Sequence, residues 1–126
     1  MILATTLILL YWKYVSGNKA GQHTSSTLSA EKYNELIGLL KQNDPTFLLV
    51  FEKEYANFSQ ELLKQAPELS AQDIEMLAMI KLNLSNKEIA QYKFIQHKTV
   101  QNRRHLIRKK LNLTTDTDLN KWIEGI

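Results

Sequence analysis

The stretch that decides the fold is residues 84–111, which read LSNKEIAQYKFIQHKTVQNRRHLIRKKL. Ser85 and Glu88 match the capping-box pattern, in which a hydroxyl and an acid three residues later satisfy the first backbone N–H groups of a helix. The pattern predicts a helix over 86–93, about two turns long, which cannot bury enough surface alone. A second helix is expected over about 97–111. The two are then joined by about three or four residues, which is helix-turn-helix geometry.

The second helix of this unit has one apolar side and one polar side. Its apolar side carries Val100, Ile107 and Leu111, at steps of seven and four residues. In a helix-turn-helix unit, the second helix presents its other side to the major groove while the first helix braces it across the DNA backbone. Amides there suit bidentate recognition of adenine, and cations suit phosphate. The side chains available for this are Lys98, Gln101, Asn102, His105, Arg108 and Lys109.

The charge distribution also indicates a polyanionic partner. The 126 residues carry 16 Lys plus Arg against 13 Asp plus Glu, which gives a net charge of +3. The excess lies in the C-terminal half, where Glu88 and Asp116 bracket 27 residues with seven basic groups and no acid. An isolated basic run is commonly only a solvated face, but at helix-turn-helix spacing it favours binding to nucleic acid.

Composition leaves little support for catalysis or metal binding. The chain has no cysteine, which excludes a disulfide scaffold, a cysteine-ligated zinc module and a thiol nucleophile. His97 and His105 lie eight residues apart on one predicted helix, too far for an i, i+4 metal pair. The hydroxyls of Ser70 and Ser85 fit helix caps better than nucleophiles. We therefore expect a protein that is not an enzyme and that uses no metal or cofactor.

Two further capping patterns complete an all-α domain over residues 68–126. They are Ser70-Ala-Gln-Asp73 and Thr115-Asp-Thr-Asp118, and they predict helices at about 71–82 and 117–124. No strand pattern competes with these helices. The expected core consists of Leu77, Ile80, Ile89, Ala90, Ile95, Val100, Ile107, Leu111, Leu113, Leu119, Trp122 and Ile123.

Residues 29–67 are predicted to be a helical connector. A first helix over about 30–42 is expected to start after Ser29, and a second, capped by Asp44, is expected over about 45–66. The second helix has a stripe of apolar residues, mostly aromatic, which is typical of a buried face. The stripe is Phe47, Phe51, Tyr55, Phe58 and Leu62. Residues 16–28 consist mostly of turn formers and small polar residues, and we expect a flexible linker.

Residues 1–15, MILATTLILLYWKYV, are almost entirely apolar. Aromatic residues beside a lysine are typical of the cytoplasmic end of a membrane-spanning helix. Fifteen residues give a helix of roughly 22 Å, whereas the hydrocarbon core measures roughly 30 Å. Three interpretations stay open: a membrane anchor that is short or continues upstream, a signal-like segment, and an apolar helix packed on the domain. The first is our leading expectation, and it places the protein at the cytoplasmic face of the cell membrane.

Four motifs together resemble a known family. Residues 69–77 (LSAQDIEML), 84–90 (LSNKEIA), 99–100 (TV) and 107–111 (IRKKL) look like the four-helix DNA-binding domain of LuxR-type transcriptional regulators. The resemblance covers residues 68–124. The region before it is similar to that of a subgroup of membrane-anchored regulators with tetratricopeptide repeats, although this chain contains no such repeats.

The resemblance implies a function and a set of DNA contacts. Its base-contacting positions correspond here to Gln101, Asn102 and His105. It also implies contacts to the DNA backbone, and the polar side of the predicted helix adds further ones. The residues expected to contact the DNA backbone are Lys87, Lys98, Thr99, Arg104, Arg108 and Lys109. The family usually has leucine where Lys93 stands, so we expect Phe94 to fill that core space.

Two hypotheses of different class follow. The leading one is a sequence-specific regulator of transcription that binds duplex DNA, is tethered to a membrane by residues 1–15, and associates with itself on DNA. The alternative is a helical protein–protein interaction or adaptor module that has lost DNA binding. Salt separates the two hypotheses, because a DNA-binding protein loses affinity steeply as salt rises.

Overall fold

The part of the protein that the structure describes consists of short helices, and four of them are followed by a residue with left-handed backbone. The computed structural model describes residues 28–126. Within this range there are seven helices and no strand, so the all-α prediction is confirmed. The helices are α1 (Ala30–Lys41), α2 (Phe47–Glu54), α3 (Phe58–Gln65), α4 (Ala71–Lys81), α5 (Asn86–Lys93), α6 (His97–Lys110) and α7 (Leu119–Glu124).

Two of the three predicted capping boxes are present. At the start of α4, the Ser70 hydroxyl accepts from the Asp73 backbone N–H (3.1 Å), and the Asp73 carboxylate accepts from the Ser70 N–H (3.0 Å). Ser85 and Glu88 make the same pair of bonds at the start of α5. Because each box satisfies two N–H groups that lack helical partners, both helices begin where the sequence places them.

The third predicted box is wrong. Thr117 donates its N–H to the Thr114 carbonyl (3.1 Å), and this bond closes a turn where a first helical turn was expected. The cap of α7 is instead Asp118, whose Oδ1 accepts from the Asn120 N–H at 3.0 Å. An aspartate can cap a helix by itself, so α7 begins at Leu119, two residues later than predicted.

The ends of four helices share one backbone device. Residues just past α1, α4, α5 and α6 have positive φ, which allows two reverse hydrogen bonds to the last carbonyls of the helix. After α4, for example, the N–H groups of Asn83 and Leu84 donate to the carbonyls of Ile80 (2.9 Å) and Met79 (3.2 Å). Asparagine tolerates this conformation better than other non-glycine residues. The positive-φ residues at these ends are Asn43, Asn83, Phe94 and Asn112.

The connector contains two helices where the sequence predicted one. Asn57 has φ 65°, so the chain breaks between α2 and α3. Glu52 bridges the break, because its carboxylate accepts from both the N–H and the hydroxyl of Ser59. The aromatic stripe nevertheless packs as predicted. The Phe51 ring lies 4.7 Å from the Tyr55 ring and 4.9 Å from the Phe58 ring, centroid to centroid.

The start of α2 also differs from the prediction. Asp44 accepts from the N–H (2.9 Å) and the hydroxyl (2.7 Å) of Thr46, which forms a turn before the helix. The helix therefore begins at Phe47 rather than at Pro45. These two bonds hold the pKa of the exposed Asp44 carboxyl below its ordinary value.

Helix α4 is the centre of the core. It contacts α2 on one side and α7 on another, and Ile74 and every residue from Met76 to Ile80 are buried. A helix that is apolar nearly all round is a buried one. Most of the predicted core is confirmed, but Ile95, Leu113 and Trp122 are only half-buried.

Lys81, the last residue of α4, joins three parts of the protein. Its Nζ donates to the carbonyls of Ile123 (3.2 Å) and Ile126 (2.8 Å) beyond α7, and lies 4.9 Å from the centroid of the Tyr55 ring. Burial lowers the pKa of Lys81, and the nearby Glu124 carboxylate partly opposes that shift. Lys81 therefore fixes the connector and the end of α7 to the same end of α4.

The predicted membrane anchor and nearly all of the predicted linker lie outside the described residues. Among residues 28–126, no helix is both long enough and apolar enough to cross a membrane.

Candidate nucleic-acid interface

Helices α5 and α6 form the predicted helix-turn-helix unit. The eight residues of α5 end at Lys93, and the fourteen residues of α6 begin at His97, so three residues join the two helices. The apolar sides of both helices face the core, where Ile89, Val100 and Ile107 are fully buried. The opposite side of α6 is thereby left facing solvent, as groove binding requires.

The turn of this unit departs from the sequence prediction. Phe94 adopts left-handed backbone (φ 54°, ψ 44°), and the next N–H, that of Ile95, donates to the Ala90 carbonyl at 3.1 Å. The Phe94 side chain is 81% exposed, so the prediction that it fills a core space is wrong. The left-handed turn carries the ring outward, and Lys93 remains at the protein edge, where its ammonium pairs with the Glu75 carboxylate.

One side of α6 is exposed to solvent and carries no acid. We call it the outer face, and its members are His97, Lys98, Gln101, Asn102, His105 and Lys109, all of them exposed. None of these side chains makes a hydrogen bond or an ion pair in the part of the chain that the structure describes. Their donors and acceptors are therefore available to a ligand without the loss of any bond within the protein.

A second group of cations on α6 is bonded to the protein itself. We call it the inner edge, and its members are Arg104, Arg108 and Lys110. The Arg104 guanidinium donates to the side-chain oxygen of Asn120 on α7. Arg108 donates to the carbonyls of Thr114 (2.8 Å) and Thr115 (3.1 Å) in the loop before α7. Charged donors bonded to protein acceptors fix the orientation of the helix that carries them.

The third member of the inner edge ties α6 to α4. The Lys110 ammonium lies 2.7 Å from the Asp73 carboxylate, which also belongs to the capping box of α4. Partial burial raises the pKa of Asp73, but the bonds from Lys110 and Ser70 outweigh burial, and the pKa lies below its ordinary value. One carboxylate thus stabilises both the start of α4 and the end of α6.

Burial of the inner edge is also visible in its electrostatics. Desolvation lowers the pKa of the half-buried Arg104 guanidinium, the Asp118 carboxylate opposes this shift, and the Arg108 charge adds to it. Arginine remains charged even so. All three cations of the inner edge are half-buried, whereas the side chains of the outer face are exposed.

Comparison with known proteins identifies this arrangement. Residues 67–123, which span the whole of α4, α5 and α6 and most of α7, match the profile of the bacterial regulatory proteins of the luxR family. Residues 67–123 are a LuxR-type helix-turn-helix domain. No curated protein and no solved structure matched the chain in two further comparisons. The LuxR-type domain is a DNA-binding module of bacterial regulators. The second helix of a helix-turn-helix unit is called the recognition helix, and in this chain the second helix is α6.

The LuxR-type domain brings most of the predicted site residues together. Gln101, Asn102 and His105, expected to read bases, lie side by side on the outer face. Lys98 and Lys109 flank them, whereas Arg104 and Arg108 lie on the inner edge.

Two other predicted contacts lie beside the outer face. Thr99 is half-buried at its border, and Lys87 is exposed in the first turn of α5.

The sequence spacing could have shown that the two arginines of the inner edge lie beside the buried side of α6. Arg104 and Arg108 follow the buried Val100 at steps of four residues, so they border the apolar stripe of α6. Their acceptors, two carbonyls in the loop before α7 and the Asn120 side chain, could not be read from periodicity. Sequence reasoning also did not single out Leu106, which is 54% exposed beside Asn102 and His105 on the same helix.

Proposed function

We propose that the chain is a non-catalytic, sequence-specific regulator of transcription that inserts the outer face of α6 into the major groove of duplex DNA. The observation that carries this proposal is the outer face itself. It presents donors and cations that have no partner in the described protein, and no acid lies between Glu88 and Asp116. Phosphate attraction supplies most of the affinity of such a surface, and base-edge contacts supply its specificity.

Roles for individual residues follow from their positions. Gln101 and Asn102 carry amides that can pair with the N6 and N7 edge of adenine. His105 lies one turn further along the outer face and is proposed as the third base-reading side chain. The flanking residues proposed to contact the DNA backbone are Lys87, Lys98, Thr99 and Lys109.

Arg104 and Arg108 have a double role in this proposal. Their guanidinium groups have five N–H donors each, and the protein acceptors use only part of them. The remaining donors can meet phosphates, while the bonds within the protein hold α6 against α7. We expect these two arginines to affect all DNA sequences alike.

The proposal is tested by selection from a pool of random duplexes with the 126-residue chain, at two salt concentrations. We expect an enriched sequence and an affinity that falls steeply with salt. Binding that selects no sequence, or a chain that binds only proteins with an affinity insensitive to salt, would support the adaptor hypothesis instead.

We also propose that residues 1–15 tether the protein to a membrane. The support is in the sequence alone: Trp12, Lys13 and Tyr14 follow an apolar run, in the order typical of a cytoplasmic interface. Because DNA is cytoplasmic, the N-terminus should face outward. Fractionation of broken cells should find the full chain with the membranes and a 28–126 fragment in solution. Recovery of both in the soluble fraction would contradict the tether.

Self-association is proposed to occur on DNA or in the membrane only. A single helix-turn-helix unit has few base contacts, and such proteins commonly gain affinity by pairing on two half-sites. The solvent-facing residues of α7 include Lys121 and Glu124, which offer only a polar surface for pairing. We expect residues 28–126 to sediment as a monomer at micromolar concentration without DNA. A stable dimer under those conditions would contradict this proposal and direct attention to α2 and α3.

A further inference from the structure

A cleft with a volume of about 240 Å³ opens beside the recognition helix, away from the outer face. Its apolar lining comes from Ile95 in the turn, which is half-buried, and from Met76 and Met79 on α4, which are buried and form the floor of the cleft. Its polar lining is formed by Gln72, Glu75, Lys93 and Arg103. The cleft therefore lies where α4, the end of α5 and the first half of α6 meet.

The charges around the cleft are not balanced. Lys93 pairs with Glu75, whereas the Arg103 guanidinium has no hydrogen bond or ion pair in the described part of the chain. Arg103 is half-buried, and it belongs neither to the outer face nor to the inner edge. An arginine that lines a cleft without a partner is suited to a carboxylate, which it can bind through two parallel N–H donors.

We propose that this cleft binds a small organic anion: a carboxylate on Arg103 with a short apolar tail over Ile95 and the floor of the cleft. The size of the cleft limits the ligand, because sites for drug-sized molecules measure roughly 300–1,000 Å³. Lys93 already pairs with the Glu75 carboxylate, so Arg103 is the cation in the described lining that is left for a ligand. A monoanion is therefore preferred over a dianion. Inorganic anions lack an apolar tail that could cover Ile95 and the floor of the cleft.

The position of the cleft gives the anion an effect on the domain. A molecule held by Arg103 and packed on Ile95 above the α4 methionines joins the recognition helix to the core, so it stabilises the folded state by mass action. If the chain binds DNA as proposed above, a negative charge bound beside α6 lowers the affinity for DNA. Bound DNA then lowers the affinity for the anion by the same factor. The binding site itself does not depend on the proposed function.

The chain is well suited to a direct measurement of this site. It contains three methionines, and two of them, Met76 and Met79, line the cleft. Full-length protein carrying ¹³C-methyl methionine is titrated with hexanoate and, as a neutral match in shape, with hexanamide. We expect saturable shifts of the Met76 and Met79 signals with hexanoate, at a Kd on the order of a millimolar, and binding about tenfold weaker for hexanamide.

Three variants distinguish specific binding of hexanoate in the cleft from the binding of an adventitious additive. Arg103→Gln is expected to weaken hexanoate about tenfold, because a charged hydrogen-bond donor is lost. Glu75→Gln removes the competing carboxylate and is expected to tighten hexanoate binding about twofold to fivefold. Lys121→Gln removes an exposed cation on α7, outside the cleft, and should leave the affinity unchanged.

The outcomes are distinguishable. Equal shifts with hexanoate and hexanamide, shifts that do not saturate, or an Arg103→Gln affinity equal to that of the unmodified chain would each mean an adventitious additive only and overturn the proposal. If Arg103→Gln does not fold, Arg103→Lys is used instead, because it retains the positive charge. The affinity of Arg103→Lys for hexanoate should lie between that of the unmodified chain and the tenfold weaker value expected for Arg103→Gln. Hexanoate should also lower the affinity for the selected duplex. If no duplex is selected, the DNA-binding proposal fails, but the methyl titration still shows whether the cleft binds the anion.

Discussion

The outer face and the inner edge of α6 are both rich in basic and polar side chains, yet the two regions differ in what those side chains contact. Lys98 and Lys109 on the outer face have no partner within the described residues, whereas all three cations of the inner edge are bonded to protein acceptors. The composition of a helix therefore does not show which of its cations can bind DNA. The acceptors that the fold places beside each cation decide how many of its donors remain available to a ligand.

The largest expected effect concerns neither region but the buried side of α6. Ile107 is fully buried and Leu106, its neighbour, is 54% exposed. Ile107→Ala should lower the free energy of unfolding by about 2–5 kcal/mol, and Leu106→Ala by less than about 1 kcal/mol. Urea titration of both variants checks this. Similar losses from both would mean that α6 is not oriented as described, and the comparison between its two regions would fail.

The next effect sharpens the role of the outer face. Gln101→Ala or Asn102→Ala should each cost about 1–3 kcal/mol on the selected duplex and almost nothing on random duplex, because only base-edge contacts are lost. Gel-shift titration on both duplexes measures the difference. Stability should not change, since both side chains are exposed and unbonded. Equal losses on both duplexes would contradict base reading.

A smaller effect tests the inner edge. Arg104→Ala should weaken the selected and the random duplex alike and lower the free energy of unfolding by about 1 kcal/mol, because its bond to Asn120 is lost. Asn120→Ala serves as the matched variant, since it removes the same bond from the other side. If Asn120→Ala leaves DNA binding unchanged while Arg104→Ala weakens it, Arg104 acts as a phosphate contact and not by positioning α6.

The smallest expected effect is a pH dependence. The folded-state pKa of Asp73 lies below its unfolded value, so its ionised form adds stability above about pH 4 that is lost as pH falls through the folded pKa. Asp73→Asn should therefore flatten the fall in stability below about pH 4. Lys110→Gln should flatten it in part, because the bonds to Ser70 remain. Urea titrations from pH 2.5 to 7 check both, and unaltered profiles would contradict the tie between α4 and α6.

The sequence predicted the features of this molecule that depend on local chemistry. Ser70 and Ser85 cap their helices within four residues, so the bounds of α4 and α5 could be read directly. The buried side of α6 likewise follows from its periodicity. The division of the chain into an anchor, a linker, a connector and the DNA-binding domain stays a prediction.

The features that the sequence did not predict depend on competition or on distant partners. Thr115 and Asp118 both fit a cap, and it is the Asp118 carboxylate that accepts from the first turn of α7. The stripe from Phe51 to Phe58 continues across the break at Asn57, so periodicity alone hides that break. The acceptors of Arg104 lie on another helix, and no local pattern indicates them.

The most direct test of the account compares two adjacent lysines. Lys109 belongs to the outer face and Lys110 to the inner edge, and each is changed to glutamine while affinity for the selected duplex is measured from low to high salt. We expect Lys109→Gln to reduce the slope of log affinity against log salt by about 0.9, the value for one phosphate contact. Lys110→Gln should leave the slope unchanged. Equal changes in slope for the two variants, or an unmodified chain whose affinity does not depend on salt, would contradict the proposed binding face.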